Sequence, residues 1–376
     1  MTRRVAIIGT RGYPSYYGGF ETAVRKLAPY LSDRGWEVTA YGRPAALEID
    51  DPTRDERVIQ QTTWGLETKS LSTLSYGFTA AIDAAVKKPD AAIVMNVANG
   101  FWLPFLRARG IPTLVNVDGM EWERAKWGTL AKKVFYSGAR ATKRYADLLV
   151  YDSHEIGRRW REEFGRSGLF IPYGGDVSET QPLEDGLEPG GYVLLVARFV
   201  PENTVGEFLE AAEKLAEKWP VVLVGSTGYG GELDDRAQKL SDANPNVKWF
   251  GHINDDGRLH SLWSNAGAYF HGHSVGGTNP ALVQAMALGA PTVARETVYN
   301  REVLGDSAVF TDPTPASIVT AVTSVMENDE IRRRLAEEVR ARAVEHYSWD
   351  SVCRGYEEGL EKLIASRGGS QRPSNG

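Results

Sequence analysis

The chain has 376 residues, of which 42% are hydrophobic and 24% are charged, and its formal net charge is −6 at pH 7. This length and hydrophobic content suffice for two domains, each with its own core. The acidic balance argues against a nucleic-acid-binding protein, because such proteins usually carry a basic excess that neutralises phosphates. The single cysteine leaves no intrachain disulfide. No apolar run reaches the roughly 20 residues needed to cross a bilayer, and the first run is too short for a signal-peptide core, so we expect a cytoplasmic protein.

Short apolar runs alternate with longer segments of helical period along the chain. This alternation is typical of parallel sheets covered by helices. In the first half, the runs predicted as buried strands are residues 4–9, 37–42, 91–97, 112–118 and 147–153. In the second half, the runs predicted as strands are residues 192–198, 221–226, 247–251, 266–272 and 291–295.

The sequence therefore predicts an α/β fold of two doubly wound, Rossmann-like domains. A polar, turn-rich stretch at 180–191 marks the boundary, which gives a first domain of residues 1–185 and a second of residues 186–345. Apolar side chains at helical spacing predict a further helix at 346–366. Residues 367–376 lack an apolar anchor, and we expect them to be disordered. Ligands of doubly wound sheets bind beyond the carboxyl ends of the strands, so we expect the chemistry in the loops that follow strands.

The loop after the first predicted strand, residues 9–21, is long and carries four glycines. It lacks the G-x-G-x-x-G spacing and the tight turn of a dinucleotide-binding loop. Two interpretations stay open. The glycines could serve only a backbone geometry with positive φ. Alternatively, Gly18 and Gly19 let the backbone approach a phosphate or a sugar, while the neighbouring aromatic side chains form the floor of an acceptor site.

An acidic loop follows the predicted strand that ends near residue 118. A carboxylate at Asp118 could act as a general base or accept a hydrogen bond from a bound ligand. Glu121 and Glu123 are alternatives for the base. In a purely structural interpretation, Asp118 caps a helix and the two glutamates complement the helix dipole in its first turn. Both interpretations stay open for Asp118.

The segment 124–144 is locally basic and aromatic in an acidic protein. It could rest on anionic lipid, or it could be an ordinary solvated helix face whose aromatic residues belong to the core. The residues concerned are Arg124, Lys126, Lys132, Lys133, Arg140, Lys143 and Arg144, with Trp127, Phe135 and Tyr136 among them.

Residues 268–289 are the most informative part of the chain, because a strand ends there in a glycine-bearing loop and a helix starts at once. Thr278 or Asn279 can cap that helix, and Pro280 suits its first position. The backbone N–H groups of Gly276, Gly277 and Thr278 would then point at a negative ligand, for which a phosphate is suited.

A bound metal ion is not expected. His271 and His273 are two residues apart, and the six histidines do not form a set with the spacing of metal ligands. The acidic pairs Asp50-Asp51 and Asp234-Asp235 are interpreted as solvated turns.

Four segments carry a resemblance to a known family: GTRGYPSYYGGFET, NVDGMEWERAKW, VARFVPEN and HGHSVGGTNPALVQAMA. In these segments the chain resembles the family 4 retaining glycosyltransferases of GT-B architecture, and the resemblance extends over nearly its whole length. The segments are most similar to the branch that includes bacterial polysaccharide rhamnosyltransferases. The resemblance implies two domains that face each other across a cleft. The second would hold the nucleotide-sugar donor and the first the acceptor, and the helix at 346–366 would pack back on the first domain.

The resemblance also implies roles for single residues. Arg198 matches an arginine that clasps the donor diphosphate, for which a planar, permanently charged guanidinium is suited. Its alternative interpretation is a solvated surface arginine. The family has a lysine where this chain has Asn203, so one positive charge is missing and the start of the helix at 276–280 would carry more of the stabilisation.

Two further departures concern the donor sugar and the ribose. The family has two glutamates, eight positions apart, where this chain has Gly276 and Gln284. The amide oxygen of Gln284 can still accept from a ribose hydroxyl. The sugar would be bound by backbone groups, by Thr278 and Asn279, or by His273.

We therefore expect a retaining glycosyltransferase that moves a sugar from a donor of TDP or UDP type to a glycan or lipid-linked acceptor of the cell surface, with rhamnose as the sugar that the branch suggests. The catalytic candidates are Asp118, Arg198 and Glu121, and no cofactor or metal ion is expected. Peripheral contact with the inner face of an anionic membrane is a further expectation. The alternatives are an epimerase or phosphorylase on the same scaffold, and a nucleotide-sugar-binding regulatory protein without turnover.

Overall fold

The structure, a computed structural model, describes residues 2–15, 18–44, 51, 54–67, 72–124, 127–177, 182–228 and 230–369. It divides into two compact units. The first is formed by the chain up to Pro172 together with the segment from Trp349 onward, and the second is Tyr173–Ser348.

The first unit is built on one parallel sheet of seven strands in the order β3-β2-β1-β4-β5-β6-β7. Its central strands are buried and almost entirely apolar, as is usual for parallel strands covered on both faces. The strands are β1 (Arg3–Ile8), β2 (Trp36–Gly42), β3 (Ile59–Thr62), β4 (Ala91–Met95), β5 (Thr113–Asn116), β6 (Leu148–Tyr151) and β7 (Leu169–Phe170).

Within the described residues, five α-helices lie between these strands along the chain. Each helix buries one face against the rest of the unit, in keeping with a period of 3.6 residues. They are α1 (Gly19–Asp33), α2 (Ser72–Lys87), α3 (Leu103–Ala108), α4 (Thr129–Tyr145) and α5 (His154–Phe164).

The second unit repeats the plan with a parallel sheet of six strands in the order β10-β9-β8-β11-β12-β13. The strands are β8 (Val193–Val196), β9 (Val221–Val224), β10 (Val247–Trp249), β11 (Ala268–His271), β12 (Thr292–Arg295) and β13 (Val309–Thr311). Its helices are α6 (Val205–Leu215), α7 (Glu232–Ala243), α8 (Asp256–Ser264), α9 (Pro280–Ala287), α10 (Val298–Leu304), α11 (Pro315–Met326) and α12 (Asp329–His346).

The last helix, α13 (Trp349–Gly369), belongs to the first unit and packs against α1, β4 and β5. The apolar side chains that predicted it are all buried. It begins three residues later than the predicted 346 and extends to residue 369, so the first residues of the expected tail are helical, while 370–376 lie outside the described residues. Over the part of the chain with a described structure, no helix is long and apolar enough to span a membrane.

All ten predicted strands are present, with ends within two residues of those expected. The chain passes to the second unit earlier than the predicted boundary at 185/186. The reason is that the connecting segment packs on the second unit: the N–H of Gly175 donates to the carbonyl of Tyr347 at 2.8 Å, and the Ser261 hydroxyl donates to the carbonyl of Pro182 at 2.9 Å.

Candidate functional site

Each sheet has a point at which the strand order reverses. In the first unit β1 lies beside β4, and in the second unit β8 lies beside β11. Open α/β sheets bind ligands beyond the carboxyl ends of the strands at such a point. The segments that follow these strands are therefore the candidate sites, and each unit has its own.

In the second unit, the loop between β11 and α9 has the geometry that the sequence predicted for an anion site. Asn279 caps α9, since its Oδ1 accepts from the N–H of Ala281 at 2.9 Å, and Pro280 is the first helical residue. Gly276 has a φ of +91°, which favours glycine. The N–H groups of Gly276 and Gly277 donate to no acceptor among the residues that the structure describes. The start of the helix thus offers donors to a negative ligand.

Asn203 joins this loop to the segment after β8. Its Nδ2 donates to the carbonyl oxygen of Arg198 at 2.7 Å, so its Oδ1 faces the Nδ1 of His273 at 2.6 Å. A carbonyl can only accept, which fixes the orientation of the amide and makes Nδ1 of His273 the protonated nitrogen. The Nε2 of a neutral His273 is then the acceptor nitrogen of the ring.

Asn203 is therefore a structural link rather than a substitute for the family lysine. The residue is buried, with an exposed fraction of 7%, and the protein itself occupies both its amide oxygen and its amide nitrogen. By contrast, the side chain of Arg198 is exposed and has no hydrogen-bond or ion-pair partner within the described residues. That exposure agrees both with diphosphate binding and with a solvated arginine.

Two residues that the sequence did not single out complete this edge. Asn300 is buried, and its Nδ2 donates to the carbonyl oxygens of His273 at 2.9 Å and Arg295 at 2.8 Å. Arg295 donates to the hydroxyl of Thr204 at 3.0 Å, and that hydroxyl donates to the carbonyl of Gly272 at 2.6 Å. The position of Arg295 at the end of a predicted strand was the signal that could have identified it.

Gln284 has a partner other than the one expected. Its Oε1 accepts from the N–H of Asp176 at 3.0 Å, and its Nε2 donates to the carbonyl of Asp176 at 2.9 Å. Gly175 fits against the same helix so closely that a Cβ there would lie 2.4 Å from the carbonyl oxygen of Val283. Gln284 thus anchors the connecting segment to α9, and a bond to a ribose would require this pairing to break.

His271 is an isolated buried group. Its Nδ1 is 3.0 Å from the hydroxyl of Tyr269, and its Nε2 has no partner among the described residues. Burial lowers the pKa of His271 to about 3, so the ring is neutral at physiological pH.

No group of three or more histidine, cysteine or acidic side chains in the described ranges is arranged to hold a metal ion, and metal independence stays a prediction. The solvated-turn interpretation is wrong for Asp234. It is buried and accepts from the N–H of Thr227 at 3.0 Å, while Asp235 is exposed. Asp50 lies outside the described residues.

In the first unit, the edge beyond β4 and β5 carries backbone strain. Asn96 has a φ of 71° and Asp118 a φ of 60°, and the Nδ2 of Asn96 donates to the Oδ2 of Asp118 at 3.1 Å. Positive φ in residues other than glycine is uncommon and concentrates at functional sites. Asn116 accepts from the Asp118 N–H at 2.9 Å and donates to the hydroxyl of Tyr356 at 2.7 Å. Asp118 is therefore held by its neighbours and caps no helix, so the capping interpretation is wrong.

The two glutamates of the same loop are paired. Glu121 is buried, forms an ion pair with Arg124 and accepts from the Nε1 of Trp127 at 2.9 Å. The guanidinium of Arg124 also lies 3.8 Å from Asp118. Glu123 is exposed and pairs with Arg159. Asp118, with 23% of its side chain exposed and Arg124 at 3.8 Å, is the least tightly ion-paired carboxylate of this loop, and its role as a base stays a prediction.

The glycines in the loop after β1 differ in whether the backbone requires them. Gly9 has a φ of +96°, and a Cβ there would lie 2.4 Å from the carbonyl oxygen of Met95, so the backbone requires glycine. Gly19 begins α1. Gly18 is extended, and a Cβ there would lie 3.4 Å from the Glu21 carboxylate, so the backbone itself does not require glycine at position 18. Two of the aromatic residues expected to form an acceptor floor, Tyr16 and Tyr17, lie outside the described residues.

Two family models match the chain in succession. Residues 18–174 match the glycosyl transferase 4-like domain, and residues 184–342 match the glycosyl transferases group 1. The first match lies within the first unit apart from its last two residues, and the second lies within the second unit.

Similar proteins agree with these matches. Phosphatidyl-myo-inositol mannosyltransferase of Mycobacterium leprae is 28% identical over 209 residues, which are 53% of this chain and 55% of that relative. The chain thus spans about half the length of this curated relative.

Two solved structures have the same fold. Sucrose-phosphate synthase of Thermosynechococcus elongatus has a TM-score of 0.77 at 18% identity and covers 97% of this chain and all of its own. The Anabaena protein Alr3699/HepE in complex with UDP has a TM-score of 0.72 at 16% identity and covers 96% of this chain and all of its own. The two domain matches, taken with two parallel-sheet Rossmann-like units, show that the chain belongs to the glycosyltransferases of GT-B fold.

Proposed function

We propose that the chain transfers a hexosyl group from a nucleoside diphosphate sugar to a glycan or lipid-linked acceptor in cell-surface polysaccharide synthesis. The observation that carries the proposal is the edge beyond β8 and β11, where Asn203 joins the backbone of Arg198 to the loop before α9. An unpaired guanidinium and unpaired helix-terminal N–H groups both donate to phosphate oxygens. Together they suit a donor diphosphate.

The proposed reaction breaks the bond between the anomeric carbon and the diphosphate oxygen, and the electron pair leaves with the diphosphate. The oxygen of the acceptor hydroxyl bonds to the anomeric carbon, and its proton passes to Asp118. Negative charge grows on the departing diphosphate, so donors already fixed by the fold lower the barrier. The proposal requires no cofactor or metal ion, since Arg198 and the start of α9 supply this stabilisation.

The finer assignments are also proposals. Retention of configuration and a rhamnosyl donor follow from the family resemblance of the chain, whereas the M. leprae relative is named for mannosyl transfer. The Anabaena neighbour binds UDP, which supports a uridine nucleotide as one candidate. We also propose that the protein works as a peripheral protein at the inner face of the membrane, where a lipid-linked acceptor would lie.

A ligand panel tests the proposal. The full chain is mixed with UDP, TDP and GDP and with their glucose, rhamnose and mannose conjugates, and its unfolding temperature and the release of sugar are followed. A ligand that binds the folded state raises stability by an amount that grows with the logarithm of its affinity. We expect one nucleotide to raise the unfolding temperature and its sugar conjugate to be hydrolysed slowly. Binding without any sugar release would instead indicate a regulatory protein, and epimerised donor would indicate an epimerase.

A further inference from the structure

The first unit displays an apolar stripe that no described part of the chain covers. Phe78, Ile82 and Val86 of α2 have exposed fractions of 39%, 36% and 74% and follow one another at intervals of four residues. Residues four apart share one face of a helix. Phe105 of α3, 39% exposed, extends the stripe, since its ring centroid lies 5.9 Å from that of Phe78. Contiguous exposed apolar side chains mark an interaction surface.

The neighbouring helix α4 is basic along its length. Its 17 residues include no aspartate or glutamate. Arginine and lysine near the end of a helix are explained by the helix dipole, but Lys132 and Lys133 lie near its start, where that dipole disfavours positive charge. Leu130 is 78% exposed on the same helix. The dipole therefore does not account for the positive charge at the start of α4.

The aromatic residues of this segment are divided between the interior and the surface. The rings of Phe135 and Trp127 are 5.2 Å apart, and the ring of Tyr136 lies 5.6 Å from that of Trp122. The aromatic part of the segment thus packs largely on the protein, whereas Lys133, Arg140, Lys143 and Arg144 are exposed. Lys126 lies outside the described residues.

A pocket of about 700 Å³ lies at the end of α4, lined by Arg140, Lys143, Arg144 and Arg166 together with Ser137 and Tyr145. No described carboxylate lines it. Arg166 is fixed, because it donates to the carbonyl of Lys143 at 2.6 Å. The other three cations have no ion-pair partner among the described residues. Unpaired arginines with hydrogen-bond donors at hand are suited to a phosphate group.

We propose that α2, α3 and α4 form a membrane-docking surface, with the pocket at the end of α4 holding the phosphate of an anionic phospholipid. α3 packs against both α2 and α4, so the apolar stripe and the basic helix adjoin. Shallow insertion of apolar side chains combined with pairing of cations to anionic headgroups is the mode of interfacial helices. A second copy of the chain is disfavoured for any two-fold contact whose axis passes beside α4, since one basic helix would then lie against another. This inference rests on the proposed function, which supplies the membrane as the partner.

Vesicle co-sedimentation tests the proposal with the full chain. One set of vesicles is phosphatidylcholine alone, and the other is phosphatidylcholine and phosphatidylglycerol in equal parts. We expect binding only to the anionic set, with an affinity that falls as salt is added. In the triple variant R140Q/K143Q/R144Q the affinity should fall by about a hundredfold, since each cation near an anionic surface contributes about a fivefold step.

The control triple variant R333Q/R334Q/R340Q removes the same charge from α12 of the second unit and should bind like the wild type. An equal loss of vesicle affinity in both triple variants, or no loss in either, would contradict the proposed docking surface. Glycerol phosphate added without vesicles separates the sources of phosphate: if it binds as tightly as the anionic vesicles, the pocket is a soluble-phosphate site. Oligomers in solution, or binding to an acidic protein but not to vesicles, would also contradict the proposal. Nucleotide binding by both triples is measured in parallel, so that a failure of the proposed function is seen separately.

Discussion

The strand-reversal edges of the two units are organised differently. In the first unit the polar side chains are bonded to one another and two of their residues, Asn96 and Asp118, have positive φ. In the second unit, among the described residues, the N–H groups of Gly276 and Gly277 have no protein acceptor and the side chain of Arg198 has no partner. A strained edge whose polar side chains bond to one another suits the precise placement of one reactive group. An edge with open donors suits the binding of an anion. This difference supports the proposal of proton transfer in the first unit and diphosphate binding in the second.

Removal of the Asp118 carboxylate should have the largest effect. In Asp118→Asn, we expect kcat to fall by roughly 10²–10⁴, because a positioned general base contributes that much. Asparagine tolerates positive φ, so the fold should persist. Steady-state kinetics checks the result, with Glu123→Gln as an exposed control. Normal turnover in Asp118→Asn with lost turnover in Glu121→Gln would transfer the role to Glu121.

Loss of the Arg198 guanidinium should affect the proposed diphosphate site of the second unit. In Arg198→Ala, turnover should fall by about 10²–10³, as for the removal of one oxyanion donor, and nucleotide affinity should fall as well. Arg340→Ala removes an exposed arginine from α12 and serves as the matched control. An Arg198→Ala enzyme with the kinetics of the control would show that this arginine is only solvated.

Asn203 is predicted to be a positioning residue. In Asn203→Ala, we expect the KM for the donor to rise about tenfold, since a buried hydrogen-bonded link of about 1–1.5 kcal/mol is lost. The ¹⁵N shifts of His273 provide a specific readout, because the bond to Asn203 fixes the proton on Nδ1. Unchanged tautomer populations in the variant would rule out this role.

His271 should make stability depend on pH. Its folded pKa of about 3 lies below the unfolded value, so the unfolded chain binds more protons and stability falls as the pH decreases through the unfolded pKa. Between pH 7 and pH 5 this group should remove about 2 kcal/mol from the free energy of unfolding. Denaturation at both pH values compares the wild type with His271→Gln, which does not titrate. Equal pH dependence of the two proteins would contradict the assignment.

The smallest effect is expected at Gln284. The variant Gln284→Glu introduces the residue that the resemblance implies at this position. Its carboxylate can accept from the Asp176 N–H but cannot donate to the Asp176 carbonyl, so the free energy of unfolding should fall by about 1 kcal/mol. Thermal unfolding without ligand measures this. A variant of unchanged stability that binds nucleotide more tightly would show that residue 284 faces the ribose after all.

The sequence predicted the parts of the fold that local pattern encodes. β4 was predictable because all five of its residues are buried and apolar. β3, with the polar sequence IQQT, was missed because an edge strand needs no apolar run, and β7 is too short to show a pattern. The helix start at Asn279–Pro280 was also predictable from local sequence, because capping depends on adjacent residues.

The polar networks could not be predicted in this way. Asn116 and Tyr356 are 240 residues apart, and their hydrogen bond exists only because α13 packs on β5. The partners of Gln284 and Asn203 likewise come from segments that the fold brings together. Spacing along the chain carries no information on such contacts. Residue type suggested ligand roles where the structure shows protein partners.

A structure of the chain with bound UDP, or with whichever nucleotide the ligand panel selects, tests the central claim most directly. We predict that the diphosphate accepts hydrogen bonds from the N–H groups of Gly276 and Gly277 and from the guanidinium of Arg198. A nucleotide bound elsewhere on the chain, with this loop and Arg198 left unoccupied, would contradict it.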